Sequence, residues 1–131
     1  MVIFDTSVWI DYFKGVRDDK TNYLEHQIAE NGVLMLGVIL QEILQGIRDE
    51  SQFKRIEKNL LTFTFLDNYS PFFYSKAAQL YRSLRQKGVT IRKPNDCFIA
   101  VYALHFDIEL CHNDSDFDQI SEYYPLKSPR F

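Results

Sequence analysis

Short apolar runs alternate along the chain with longer stretches in which apolar residues recur every three to four positions. This alternation predicts strands and helices in turn. Val2-Ile3-Phe4 reads as a buried strand ended by Asp5. Thr6 or Ser7 can cap the helix that follows, with Val8, Trp9, Tyr12 and Phe13 on its apolar face. Gly15 closes that helix. A second is expected over 18–30, with Tyr23, Leu24 and Ile28 facing inward and Asn31-Gly32 as its stop. Val33-Leu34-Met35-Leu36 is the second buried strand, and Gly37 precedes a helix over 38–47 striped by Ile39, Leu40, Ile43, Leu44 and Ile47. A helix over 50–61 with a basic face of Lys54, Arg55 and Lys58 leads to an edge strand over 63–66, ended by Asp67-Asn68.

Ser70-Pro71 opens a long helix through Lys87, with Gly88 beyond it. The segment 93–117 organises the rest. Pro94 starts a helix with Asp96 in its first turn, and every residue from Cys97 to Leu104 is apolar or aromatic, so this helix should be packed on nearly all sides. Ile108, Leu110 and Cys111 form the last strand, followed by Asp114 and Asp116. A short acidic helix after Phe117 and a final edge segment at Tyr124-Pro125-Leu126 complete the chain. The repeated order of one strand and two helices predicts an α/β fold. Its form is a three-layer α/β/α sandwich with a mainly parallel central sheet, in a single domain spanning 1–131.

This order changes the meaning of the acids. Asp5, Glu42, Asp96 and Asp114 all fall at strand ends or in early helix turns, with Asp116 close behind. They therefore gather at the carboxyl edge of the sheet, where open α/β sheets build their sites. Glu42 points more than about 100° away from the centre of its helix's apolar stripe, towards the edge that carries Asp5. Asp11, two turns into the first helix, reads as a solvated residue.

Composition narrows the classes. With 46% hydrophobic and 25% charged residues, this is an ordinary soluble composition. A net charge of -3 argues against a general polyanion binder, unless several acids are gathered around cations and leave the remaining surface basic. Arg82, Arg85, Lys87, Arg92 and Lys93 cluster just before Asp96 and supply such a surface. Of these, Arg85, Lys87, Arg92 and Lys93 can hold RNA phosphates beside the acids, or form a solvated helix end. Cys97 and Cys111 lie in apolar runs without metal-ligand spacing and read as buried, reduced thiols. His105 and His112 read as structural. The first residues, MVIFDTSVW, show no signal-peptide pattern, and no run is long enough to cross a membrane. A cytoplasmic protein is expected, in which the Asn-x-Ser matches at Asn68 and Asn113 are chance.

Several carboxylates at one edge cannot all stay ionised uncompensated, since each raises the pKa of the others. A hard divalent cation is one solution: carboxylates suit Mg²⁺ or Mn²⁺, and no Cys/His set for zinc exists here. Two such cations on shared carboxylates can activate water and stabilise the leaving oxygen in phosphodiester cleavage.

FDTSVWIDYF at 4–13, QEILQG at 41–46, NDCFIAVYA at 95–103 and LCHNDSDFDQI at 110–120 together resemble the PIN domain, most closely the VapC-type toxins of bacterial toxin–antitoxin pairs. The likeness spans essentially the whole chain. It implies a Mg²⁺- or Mn²⁺-dependent endoribonuclease whose acidic quartet falls on Asp5, Glu42, Asp96 and Asp114. Asp116 matches a further acid that, with Asp5, Asp96 and Asp114, would hold metal, and Ser7 matches a supporting polar residue. It also implies a homodimer and a VapB-like antitoxin that pushes a basic side chain into the acidic pocket. Apolar surface near Trp9, Tyr12 and the 50–61 helix can receive an antitoxin helix, although core packing accounts equally for the same residues.

Two other readings stand beside this one. A phosphatase with an Asp nucleophile usually shows two acids spaced two apart after the first strand, but position 7 is a serine. A catalytically silent or non-toxin PIN-fold module that binds nucleic acid would be favoured by loss of a quartet member, and all four are present.

Overall fold

The computed structural model describes residues 1–66 and 70–131. Asp67 and Asn68, expected to end the third strand, lie outside the described residues, as does the Asn68 glycosylation match. In chain order the elements are β1 (Val2–Phe4), α1 (Thr6–Phe13), α2 (Asp19–Ala29), β2 (Val33–Met35), α3 (Gly37–Gln45), α4 (Glu50–Leu60), β3 (Thr64–Phe65), α5 (Pro71–Gln86), α6 (Pro94–His105), β4 (Glu109–Cys111) and α7 (Ser115–Ser121). The four strands form one parallel sheet in the order β3-β2-β1-β4. Every residue of β1 and β2 is buried, so both faces of the central strands are covered, as a parallel sheet between helical layers requires. The expected three-layer sandwich is the observed one.

Topology puts the functional edge between β1 and β4. The chain builds β1, β2 and β3 in one direction and then returns to place β4 on the other side of β1. At this switch point the segments that leave the two strands diverge and open a crevice. Register fixes its walls: Phe4 pairs with Cys111, and the Asp5 N–H donates to the Cys111 carbonyl at 2.9 Å.

Several local expectations are corrected. Helix α1 is capped by Asp5, not by Thr6 or Ser7: the Asp5 carboxylate accepts the Ser7 N–H. Leu36 leaves the strand and becomes the N-cap of α3. Helix α7 starts at Ser115 rather than after Phe117, because Asp114 is its cap. The 124–126 segment forms no strand, although the Leu110 N–H donates to the Lys127 carbonyl at 2.8 Å and draws the tail along β4. Trp9 is core, not docking surface, with Phe13 and Phe63 against its ring at 5.8 and 5.5 Å. Asp11 is not simply solvated; it is half-buried and accepts a hydrogen bond from the Asn113 amide at 3.0 Å.

Helix α2 carries a complete capping box between Asp18 and Thr21. Gly15 and Gly88, with φ of +81° and +85°, take the left-handed turns that end α1 and α5. Helix α6 buries Cys97, Ile99, Ala100, Val101, Tyr102 and Ala103, as its unbroken apolar run predicts, and both cysteines are free and buried. Its partner is α5, through Phe73 stacked on Tyr102 at 4.5 Å. Because α6 carries Asp96, this contact supports the site from behind. Phe73→Ala should therefore lower stability by about 3–5 kcal/mol, the usual range for a buried aromatic. Urea denaturation measures it, and a loss below about 1 kcal/mol would show that the stack does not anchor α6.

Candidate metal centre

Three carboxylates meet at the crevice. One oxygen from each of Asp96, Asp114 and Asp116 lies within 4.8 Å of the others, and all three residues are buried. Local structure delivers each one. Asp96 sits in the first turn of α6 just past Pro94. Asp114 caps α7, its Oδ1 accepting the Asp116 N–H at 2.9 Å. Asp116 follows in the first turn of α7 and accepts the Arg92 N–H at 3.2 Å. Helices α6 and α7 thus aim their positive N-terminal ends at the cluster, which favours negative charge there.

Asp5 and Glu42 flank this triad rather than entering it. Asp5 is buried, and its Oδ2 accepts both the Ser7 N–H at 3.1 Å and the Ser7 hydroxyl at 2.7 Å. Glu42 is half-buried, and its Oε1 accepts the Thr6 hydroxyl at 3.0 Å, joining α3 to α1. Burial raises the Glu42 pKa against the lowering effect of Thr6, and the Asp5 charge raises it further.

The electrostatics show a site short of positive charge. Burial, followed by the charges of Asp5 and Asp114, pushes Asp96 from an ordinary 3.8 up to about 8. Asp96 is therefore largely protonated at neutral pH. Its Oδ2 is buried without a hydrogen-bond partner among the described residues. Burial also works against the Asp114 charge, but hydrogen bonds from Lys93 and the Asp116 N–H outweigh it. Together with a hydrogen bond to Asp96, they hold Asp114 below the usual carboxylate range. The donor set is entirely carboxylate oxygen, one oxygen is orphaned, and net negative charge is crowded in a buried crevice. Such a set fits a hard divalent cation, with Asp96, Asp114 and Asp116 as the nearest group.

The four cations named from the sequence separate into two pairs. Lys93 reaches Asp114 Oδ2 at 2.7 Å, and Arg92 Nε stands 3.8 Å from Asp116 Oδ1. Arg85 lies instead over the Tyr81 ring, while Lys87 bonds Ser83 and lies over the Tyr123 ring. His112 is buried beside Asp114. Burial lowers its pKa, and its neutral Nδ1 accepts the Asp114 N–H at 3.3 Å.

Sequence reasoning missed the brace around Asn113. Its side-chain oxygen accepts the Lys20 ammonium at 2.7 Å, its amide donates to Asp11, and its backbone N–H donates to Ser7 Oγ at 3.0 Å. Lys20 also bonds the His112 carbonyl at 2.7 Å. Asn113's place between a strand end and Asp114 was a usable signal. Nothing local marks Lys20, which lies 93 residues away.

A raised carboxyl pKa makes folding sensitive to alkali. Folded Asp96 keeps its proton to about pH 8, whereas the unfolded chain releases it near 3.8. The stability linked to this proton is full below pH 4 and is lost as pH climbs towards 8. Metal-free Asp96→Asn should therefore fall below or match the wild type at pH 5 and exceed it at pH 8 by at least about 3 °C in Tm. Taking the difference between the two proteins cancels the titrating groups that do not interact with Asp96, and a difference that does not change with pH would contradict the shift.

The PIN domain family model matches residues 2–123. Ribonuclease VapC11 of Mycobacterium tuberculosis is 29% identical over 133 residues, covering 100% of this chain and 99% of that one. The crystal structure of VapBC2 from Rickettsia felis, bound to a DNA fragment from their promoter, superposes with a TM-score of 0.76 at 22% identity, over 100% of this chain and 99% of that one. A toxin–antitoxin complex from Klebsiella pneumoniae does so with a TM-score of 0.66 at 21% identity, over 89% and 90%. The family match spans the sheet, the crevice and every acid described above, and the chain belongs to the PIN-domain family.

Proposed function

We propose that the protein is an endoribonuclease, the toxin of a toxin–antitoxin pair, hydrolysing RNA phosphodiester bonds with Mg²⁺ or Mn²⁺ as cofactor. The observation that carries this reading is the buried Asp96–Asp114–Asp116 group with its orphaned oxygen. The ribonuclease relative of matching length supports it. Asp96, Asp114 and Asp116 would hold the cation, with Asp5 completing the set. When bound, the cation supplies Lewis-acid stabilisation of the charge that builds on the phosphate oxygens.

The chain's own groups do the rest. Ser7 spends its hydroxyl proton on Asp5 Oδ2 and takes the Asn113 N–H, so Asp5 is held at a fixed angle to the β4–α7 turn. Glu42, half-exposed at the rim, can orient the attacking water through its carboxylate. Arg92 and Lys93 beside the acids would receive the RNA backbone, with Arg85 and Lys87 as a second station at the C-terminal end of α5. Substrate and product are polyanions, so these cations act by position, not by selectivity for base.

The partner in this reading is a VapB-like antitoxin, and the active form a homodimer in the cytoplasm. Ile10, Phe13 and Val16 are exposed together at the end of α1 and beyond it, and Leu61 is exposed after α4; these offer apolar surface to an antitoxin helix in place of the buried Trp9. Among the described residues no helix is long and apolar enough to cross a membrane.

Purified protein incubated with total cellular RNA should give discrete fragments with Mg²⁺ or Mn²⁺ and none with EDTA. Asp5→Asn and Asp96→Asn should each reduce cleavage by at least about 10²-fold while circular dichroism shows an intact fold. Undiminished cleavage by a folded Asp96→Asn protein would overturn the assignment.

A further inference from the structure

We propose that Lys93 is a resident counter-ion of the acidic crevice, which holds Asp114 while the site is free of metal and is displaced into solvent when a divalent cation binds. The inference rests on the metal-centre reading above. Lys93 Nζ lies 2.7 Å from Asp114 Oδ2, an ammonium–carboxylate contact made to the very group that a cation would need. Its charge also acts on Asp96, Asp5 and Glu42, so it faces four of the five acids at the edge. No other side-chain cation comes so near them among the described residues: Arg92 stands at 3.8 Å from Asp116, with a side chain 72% exposed.

The same ammonium is well placed to leave. Its side chain is 54% exposed although its partner is 5% exposed, so only the tip enters the crevice. Lys93 is the N-cap residue of α6 yet makes no side-chain capping bond, and Pro94 after it fixes the helix start independently. Rotation of its four-carbon stem breaks one ion pair and disturbs no helix. A divalent cation brings twice the charge to the same oxygens, and two cations cannot share Asp114 Oδ2 at contact distance without strong repulsion. Metal binding is therefore an exchange of one cation for another, and the threshold at which the site fills is set partly by Lys93.

Two readouts test this without measuring cleavage. Amine-reactive labelling, quantified by mass spectrometry, should modify Lys93 at least about threefold faster with saturating Mn²⁺ than without. Lys127, paired with Asp107, should not change. In calorimetric titration, Lys93→Gln should bind Mn²⁺ roughly tenfold more tightly than wild type. Arg92→Gln, which removes an equal charge nearby, should gain distinctly less. Binding of Mn²⁺ with unchanged labelling of Lys93, or equal gains in the two variants, would overturn the exchange while leaving the metal centre standing. Absence of Mn²⁺ binding by the folded wild type would overturn the metal centre itself, and this inference with it.

Discussion

Too much negative charge in too little water is the constraint on which this molecule turns. Three buried carboxylates have oxygens within 4.8 Å of one another, and two more flank them. A folded chain tolerates that only by partial remedies, and each is visible. Burial and its acidic neighbours shift Asp96 towards its neutral form, Lys93 pairs with Asp114, and Ser7 and backbone N–H groups satisfy oxygens of Asp5, Asp114 and Asp116. Two helix N-termini add their dipoles. One oxygen, Asp96 Oδ2, has no hydrogen-bond partner among the described residues. The protein is thus built around an electrostatic deficit that a small, hard cation is suited to fill.

The sheet makes the crowding possible without unfolding the chain. Parallel pairing of β1 with β4 brings the ends of two strands together that are separated by more than a hundred residues in sequence. Because the chain reverses its direction of growth at this pair, the two exits part into different helices while the Asn113 N–H still ties them to Ser7, and both acidic turns project into the same crevice. The apolar helix α6 then drives Asp96 in from the side. Its burial on nearly every face, together with the Phe73–Tyr102 stack, packs that helix against the sheet and α5.

Much of this was legible in the sequence, for reasons that differ by element. The buried strands and α6 were legible because an unbroken apolar run is stable only when it is covered on every side. The acidic edge was legible because a strand, an acid and a helix start in that order have only one place to be. Asp114 as the cap of α7 was not, since the sequence predicts a helix after Phe117 and only the hydrogen bond from the Asp116 N–H shows the earlier start. Trp9 was ambiguous because a large apolar residue in an amphipathic helix serves core or surface alike. The Lys20–Asn113–Asp11 brace and the Thr6–Glu42 bond depend on residues brought together by the tertiary fold, and no local pattern announces such pairs. The split of the basic residues into two groups is likewise decided by side-chain direction, which spacing alone does not give.

The tail beside β4 has a significance separate from chemistry. With β3 only two residues long, the sheet's other margin would be β4, and the Leu110 N–H would point outward from it. The Lys127 carbonyl takes that donor, and the Lys127 ammonium fastens the same segment to Asp107. A bare margin of a parallel sheet is a template on which another chain can grow. The segment that carries Lys127 thus occupies one donor on β4 that an incoming strand would otherwise take.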